Sequence, residues 1–214
     1  MLEKKQVDKT HYEFSRYMNK SRWASVWHQL DEVIRLNPSN VLEIGPGPGV
    51  FKQMATLFGL RVETLDLDPD LKPDYVGSAT AMPFADTSYD VVCAFQVLEH
   101  VPYEKSLEIF SEMARVARKG VIISLPDAAT RWPIAIHIPR LGIKWLSIPK
   151  PRLGLPDHLP DPEHYWEINK AGYSLVRLQD DLDRIGSMEL ANTYRVDENP
   201  YHRFFIFKQK NNNG

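Results

Sequence analysis

The run Val41-Leu42-Glu43-Ile44-Gly45-Pro46-Gly47-Pro48-Gly49 places a carboxylate and three glycines at the end of an apolar segment. Glycine has no Cβ, so the chain turns sharply there and a ligand approaches its backbone closely. A helix expected from Val50 to about Phe58 aims its free N–H groups and positive dipole end at that ligand. Asp66 stands 21 residues after Gly45, at the end of a second strand expected over Arg61–Leu65. A carboxylate in that place accepts hydrogen bonds from both hydroxyls of a ribose. The plainer alternative is that Asp66 and Asp68 open a turn at Asp68-Pro69-Asp70. Taken in this order and spacing, the two features describe a nucleotide-type cofactor site. The glycine pattern is G-x-G-x-G, and Val50 occupies the place of the last glycine of a dinucleotide fingerprint.

The elements that would position these groups alternate strand and helix. A helix is expected over 11–36, with Trp23, Val26, Trp27, Leu30, Val33 and Ile34 at helical spacing. Tyr75-Val76 reads as a short third strand, and the apolar run Asp90–Phe95 as a strand buried on both faces. A helix from Pro102 to Lys119 is expected to stop at Gly120, followed by a strand over Val121–Leu125. Ser174 is a good N-cap for a helix ending near Gly186. Met188–Val196 and Phe204–Lys208 read as an antiparallel pair joined by a turn at Asn199-Pro200. The alternation argues for an α/β, Rossmann-like doubly wound sheet, mostly parallel.

Three stretches together carry a family resemblance. They are Val41–Gly49 with Asp66; Ala81-Met82-Pro83-Phe84-Ala85-Asp86-Thr87-Ser88-Tyr89-Asp90-Val91-Val92; and Gln96-Val97-Leu98-Glu99-His100-Val101-Pro102. The combination resembles class I S-adenosylmethionine (SAM) dependent methyltransferases, nearest to the small-molecule "type 11" group, over about residues 38–126. The resemblance implies a single domain over 1–214, with a seven-stranded sheet closed by a C-terminal antiparallel strand. It also implies SAM as cofactor and S-adenosylhomocysteine (SAH) as product. Glu43, Gly45, Gly47 and Gly49 would shape the turn around the methionine part of SAM, Asp66 would hold the ribose, and Leu67 would pack on the adenine. Ser78 stands where relatives commonly carry Asp for the adenine amino group, and Ala79 offers a backbone N–H there. Phe95, Gln96 and Val97 would face cofactor and acceptor. The exit of the fourth strand is not the [DN]-P-P-[YF] of many amino-group methylases, so oxygen or carbon is favoured as the methyl acceptor. Gln96 replaces the first carboxylate of the Glu-x-x-Glu-His metal cluster of some quinone-type relatives, and no metal is expected.

A base is needed only if the acceptor loses a proton. His100 is the first choice, because its intrinsic pKa lies near neutrality; a helix-start histidine bonded to backbone is the alternative. Tyr12 and Tyr17 lie on the amino-terminal helix, which often covers the cofactor in this family. Residues 127–165 form a Pro- and Trp-rich insertion at the ligand-binding edge of the sheet, holding seven of the 16 prolines. It is expected to be irregular, and to serve either as a substrate wall or lid or as cover for a sheet edge. Trp132, His158 and His164 within it, and His202 beyond it, are possible acceptor contacts. The six-residue separation of His158 and His164 lacks the tight spacing of a zinc motif. The insertion's basic stretch over 131–152 admits contact with a membrane surface.

Net charge is −2 over 214 residues, which leaves no electrostatic footprint for nucleic acid. Cys93 is the sole cysteine and is expected to be a buried apolar group in a reducing compartment. The polar first residues hold no signal-peptide core and no run is long enough to span a bilayer, so a cytoplasmic location is expected. The function expected is methyl transfer to a small molecule. The alternatives are a non-catalytic SAM/SAH-binding module, or a methyltransferase acting on a protein or a lipid-like substrate.

Overall fold

The structure, a computed structural model, describes residues 13–151, 154–158, 164–185 and 187–210. Its core is a seven-stranded sheet built from β1 (Val41–Ile44), β2 (Val62–Asp66), β3 (Tyr75–Val76), β4 (Tyr89–Phe95), β5 (Ala117–Pro126), β8 (Met188–Val196) and β9 (Asn199–Gln209). The order is β3-β2-β1-β4-β5-β9-β8. Pairings from β3 through to β5 are parallel, and β9 runs antiparallel to both β5 and β8. The strand order reverses between β1 and β4, the switch point at whose carboxyl edge ligands bind in open α/β sheets.

Both faces are covered, which is why β1 and β4 are apolar at successive positions. Helices α2 (Lys20–Arg35) and α3 (Val50–Leu57) pack Val26, Leu30, Val33, Phe51 and Ala55 against Val41, Val91, Cys93 and Ile122. Helices α4 (Tyr103–Val116) and α5 (Leu175–Asp183) pack Phe110, Met113, Leu178 and Leu182 on the opposite face, against Leu42, Ile44, Val92 and Ile123. Ser174 caps α5 by accepting from the Arg177 N–H at 3.1 Å. Cys93 is fully buried, and burial pushes its thiol pKa well up.

Four sequence expectations change. The helix expected over 11–36 is broken: α1 covers only Phe14–Tyr17, Met18 and Asn19 are extended, and the Asn19 side chain caps α2 through the Arg22 N–H. Trp23, Trp27 and Ile34 remain 43%, 58% and 44% exposed, because the buried stripe of α2 is the narrower set Val26, Leu30 and Val33. Helix α4 ends at Val116 and β5 begins at the next residue, so Gly120 stops no helix. A Cβ on Gly120 would lie 2.6 Å from the Phe207 carbonyl oxygen, and its glycine permits the close approach of β9. The turn between β8 and β9 is Asp197-Glu198, and Asn199 and Pro200 already belong to β9.

The fourth change concerns the insertion. It is not irregular throughout. Strands β6 (Arg131–Ile138) and β7 (Gly142–Pro149) form a two-stranded antiparallel hairpin separate from the main sheet. Alternation at Trp132, Ile134, Ile136 and Ile138 is the strand signal that the prolines obscured. The chain then returns through residues 164–168 to the carboxyl edge of the sheet, where Ile168 bridges to Asp127. No helix among the described residues is long and apolar enough to cross a membrane.

Candidate active site

The glycine turn joins the end of β1 to the start of α3, with φ of 63°, 52° and 76° at Gly45, Gly47 and Gly49. The Gly45 N–H donates to the Leu65 carbonyl at 2.9 Å, and the Gly49 N–H to that of Pro46 at 2.9 Å. A Cβ on Gly45 would lie 2.7 Å from Val97 Cγ2. The first glycine is therefore required twice, by its left-handed backbone and by the loop that follows β4. That loop is itself held: Gln96, at φ 57°, donates its backbone N–H to the Ser124 carbonyl at 2.9 Å and its side-chain Nε2 to Ser124 Oγ at 3.2 Å.

Glu43 lies beneath the turn, almost fully buried, and its Oε2 has no hydrogen-bond partner. Burial pushes its pKa up to about 8, against the opposing pull of Lys52. An orphaned acceptor under a glycine cradle fits the polar end of an amino-acid ligand. Asp66 ends β2 half-buried, and one oxygen accepts the Asp68 N–H at 2.8 Å; burial raises its pKa. The ribose-binding role and the turn role are thus compatible in one side chain. Leu67, the next residue, is 43% exposed. Ser78 Oγ is within 2.8 Å of Thr80 Oγ1, and Ala79 packs at the edge of the core. Phe95 turns toward Phe51 and Phe204 at centroid distances of 5.1 and 6.1 Å, so it supports the site from below. A cavity of about 720 Å³ borders the turn on its α3 side, lined in part by Gly47, Lys52 and Leu71. It includes neither Asp66 nor Gln96, and the site is defined by the strand ends instead.

On the other side of the β4 exit, a 3-10 turn over Leu98–His100 presents Glu99 and His100. The Tyr165 N–H donates to the Glu99 carbonyl at 2.8 Å, which pins the returning limb of the insertion here. It delivers His164, whose ring lies 5.1 Å from that of His100 at 65°. His164 Nδ1 sits 3.1 Å from Glu167 Oε1, and Lys170 Nζ is 3.3 Å from the same oxygen. The Glu99 carboxyl is fully buried with neither oxygen partnered, and burial pushes its pKa up to about 8. His202 is buried with Nδ1 unpartnered; burial first, and Arg22 second, push its pKa down to about 3. His158 bonds the His164 carbonyl through Nε2 at 3.0 Å. Glu99, His100 and His164 bring ligand-type atoms within 4.8 Å of one another, so among the described residues this is the group that could hold a metal ion.

Tyr17 also comes to this edge: the Arg22 guanidinium lies 4.2 Å over its ring, and Glu43 is close enough to raise its pKa, though burial is the larger cause. Trp132 does not come with the others; it lies on β6, beside Lys150. Tyr12 lies outside the described residues. The sequence reading missed Arg22, which lies over Tyr17, and Glu167, which faces His164. Only Glu167, three residues after His164, offered a spacing signal, and that spacing is not specific.

The comparisons agree with this geometry. Residues 42–125 match the family model described as "Methyltransferase domain". An uncharacterized methyltransferase from Mycobacterium sp. (strain KMS) is 33% identical over 126 residues, covering 53% of this chain and 48% of the relative. One from Mycobacterium tuberculosis (strain H37Rv) is 30% identical over 109 residues, covering 45% and 42%. The chain spans about half the length of the curated relatives it matches. Among solved structures, magnesium protoporphyrin IX methyltransferase from Synechocystis PCC 6803 with bound SAH shares the fold at TM-score 0.62 and 14% identity, over 89% of this chain and 84% of that one. A Burkholderia thailandensis 1,6-didemethyltoxoflavin-N1-methyltransferase shares it at TM-score 0.59 and 11% identity, over 94% and 84%. With the glycine turn, Asp66 and the strand order in place, residues 42–125 match a methyltransferase domain, on the fold of methyltransferases solved with SAH bound.

Proposed function

We propose that the protein transfers the methyl group of SAM to a small-molecule acceptor, at oxygen or carbon. The observation that carries this reading is the meeting of two half-sites. Val97 closes against Gly45 of the cofactor turn, and two residues further on the same loop begins the Glu99–His100–His164 cluster. The two solved structures with SAH bound are of enzymes named for small-molecule acceptors, a magnesium porphyrin and a didemethyltoxoflavin, and a small-molecule acceptor is in keeping with that shared fold.

When bound, SAM supplies an already activated methyl group for in-line displacement. The work of the protein is to position the acceptor and exclude water. Glu43 and the glycine turn hold the amino-acid end of the cofactor, and Asp66 holds the ribose. His100 takes the proton of the acceptor, with its ring placed beside that of His164. Glu167 fixes the tautomer of His164 through Nδ1. Glu99, its pKa pushed up to about 8 by burial, lies enclosed beside His100 and His164. Tyr17 and His202 complete the wall on the side of α2, and His158 backs His164.

Calorimetric titration with SAM, SAH, NAD and ATP tests the cofactor half: micromolar binding of the first two alone is expected. Mass spectrometry of a metabolite extract incubated with SAM tests the acceptor half. SAH accumulating together with an acceptor heavier by one methyl group is the expected result. Tight SAM binding without any turnover would leave a binding module in place of an enzyme.

A further inference from the structure

The β6–β7 hairpin stands apart from the rest of the molecule. Its strands pair with each other from Arg131↔Pro149 to Ile138↔Gly142 and, among the described residues, join no other sheet. One face carries Trp132, Ile134, Ile136 and Ile138 from β6, and the cross-strand partners Ile148 and Leu146 fall on the same face. These six side chains are between 37% and 52% exposed, and Leu141 at the tip is 63% exposed. Such a continuous apolar surface on a chain of this size marks an interaction site.

The charge on the hairpin identifies the partner. Residues 131–150 hold Arg131, Arg140, Lys144 and Lys150 and no Asp or Glu, a net +4. Lys144 sits on the apolar face opposite Ile136, and Lys150 Nζ lies 5.5 Å from the centre of the Trp132 ring. Long cationic side chains beside tryptophan and isoleucine suit a boundary between acyl chains and anionic headgroups. A second copy of the same hairpin would bring four positive charges against four. The root is firm: the Lys150 N–H closes the base on the Thr130 carbonyl at 3.0 Å, and Asp127, just before it, is gripped by Arg195, Arg203 and Asn169. We infer that the hairpin is a membrane-surface dock that seats this domain on an anionic lipid leaflet. It leaves β5 at the carboxyl edge of the sheet, so docking holds the cofactor edge toward the lipid. The inference stands independently of the reaction catalysed.

Vesicle flotation tests it. The full chain should float with phosphatidylcholine vesicles containing phosphatidylglycerol, float poorly with phosphatidylcholine alone, and be partly released by added salt. Ile134→Asp with Leu146→Asp, and separately Arg140→Glu with Lys144→Glu, should each lower vesicle binding by at least about tenfold. Both variants should keep the thermal midpoint and the SAM affinity of the parent, because the hairpin lies outside the core. Failure to float with anionic vesicles overturns the inference, as does undiminished flotation of both variants. A dimer on gel filtration that Ile134→Asp/Leu146→Asp dissociates, without vesicle binding by the parent, would assign the face to a second copy and overturn it equally.

Discussion

Glu99 and Glu43 are acids held below the surface with oxygens that nothing among the described residues satisfies. Both have pKa values pushed up to about 8 from an ordinary 4.5. The folded protein therefore keeps protons that the unfolded chain releases above pH 4.5, and stability falls as pH rises from there to about 8. His202 acts in the opposite sense: with its pKa lowered to about 3 from 6.5, its contribution is lost only as pH falls below 6.5. Between pH 6.5 and 8 the two carboxyls act alone, each with a slope of up to about 1.4 kcal/mol per pH unit. Glu99→Gln should remove about half of that slope in urea unfolding measured across this window; an unchanged slope would contradict the burial argument. Asp66 makes a different prediction. Asp66→Ala removes a charged acceptor worth about 1.5–3 kcal/mol per hydrogen bond, so SAM affinity by calorimetry should fall about 100-fold, with little change in thermal midpoint. The spacing of Asp66 and the glycines was legible because a fixed local geometry demands those residue types. The isolation of Glu99 was not, because burial depends on what residues 164–167 do when they return.

Elements end where neighbours require it as much as where local signals suggest. Asn19 opens α2, a cap type that a continuous apolar period concealed. Gly120 lies within β5, and its missing side chain makes room for β9. Gly120→Ala should overpack that contact and cost about 1–3 kcal/mol in chemical denaturation, without loss of SAM affinity in the fraction that folds. Gly45→Ala meets both a left-handed backbone and Val97, so it should lower SAM binding as well as stability. Val97→Ala in the same chain should recover part of the stability and little of the binding. Strands β4 and β8, helix α3 and the start of α5 follow the sequence reading closely, since their apolar periods and caps are local; α5 ends at Asp183, short of Gly186, which lies outside the described residues. The β6–β7 hairpin was hidden because seven prolines within 127–165 suggest loop, whereas Pro133 and Pro149 sit in a two-stranded ribbon that leaves each strand a free edge.

For the molecule as a whole, Asp127 ties its distant parts together. Buried at the exit of β5, it pairs with Arg195 on β8 and Arg203 on β9 and accepts from Asn169 on the returning limb. Its attraction to these cations holds its pKa below the usual range even though burial pushes it up. Asp127→Ala would strand two half-enclosed guanidiniums and should cost about 3–5 kcal/mol in urea unfolding. Hairpin root and acceptor wall share this anchor, so the same variant should also lower turnover more than SAM affinity. The doubly wound class and the glycine turn with a carboxylate at the next strand end were determined by the sequence itself, because alternating periods, glycine chemistry and one well-spaced carboxylate act over short stretches of chain. Tertiary structure alone decided the rest. It brought His164 beside His100 across 64 residues, left Trp132 outside the site, buried Glu99 without a partner and set an apolar hairpin apart from the core. Those outcomes depend on contacts between segments far apart in sequence, which follow from the packing of the whole chain.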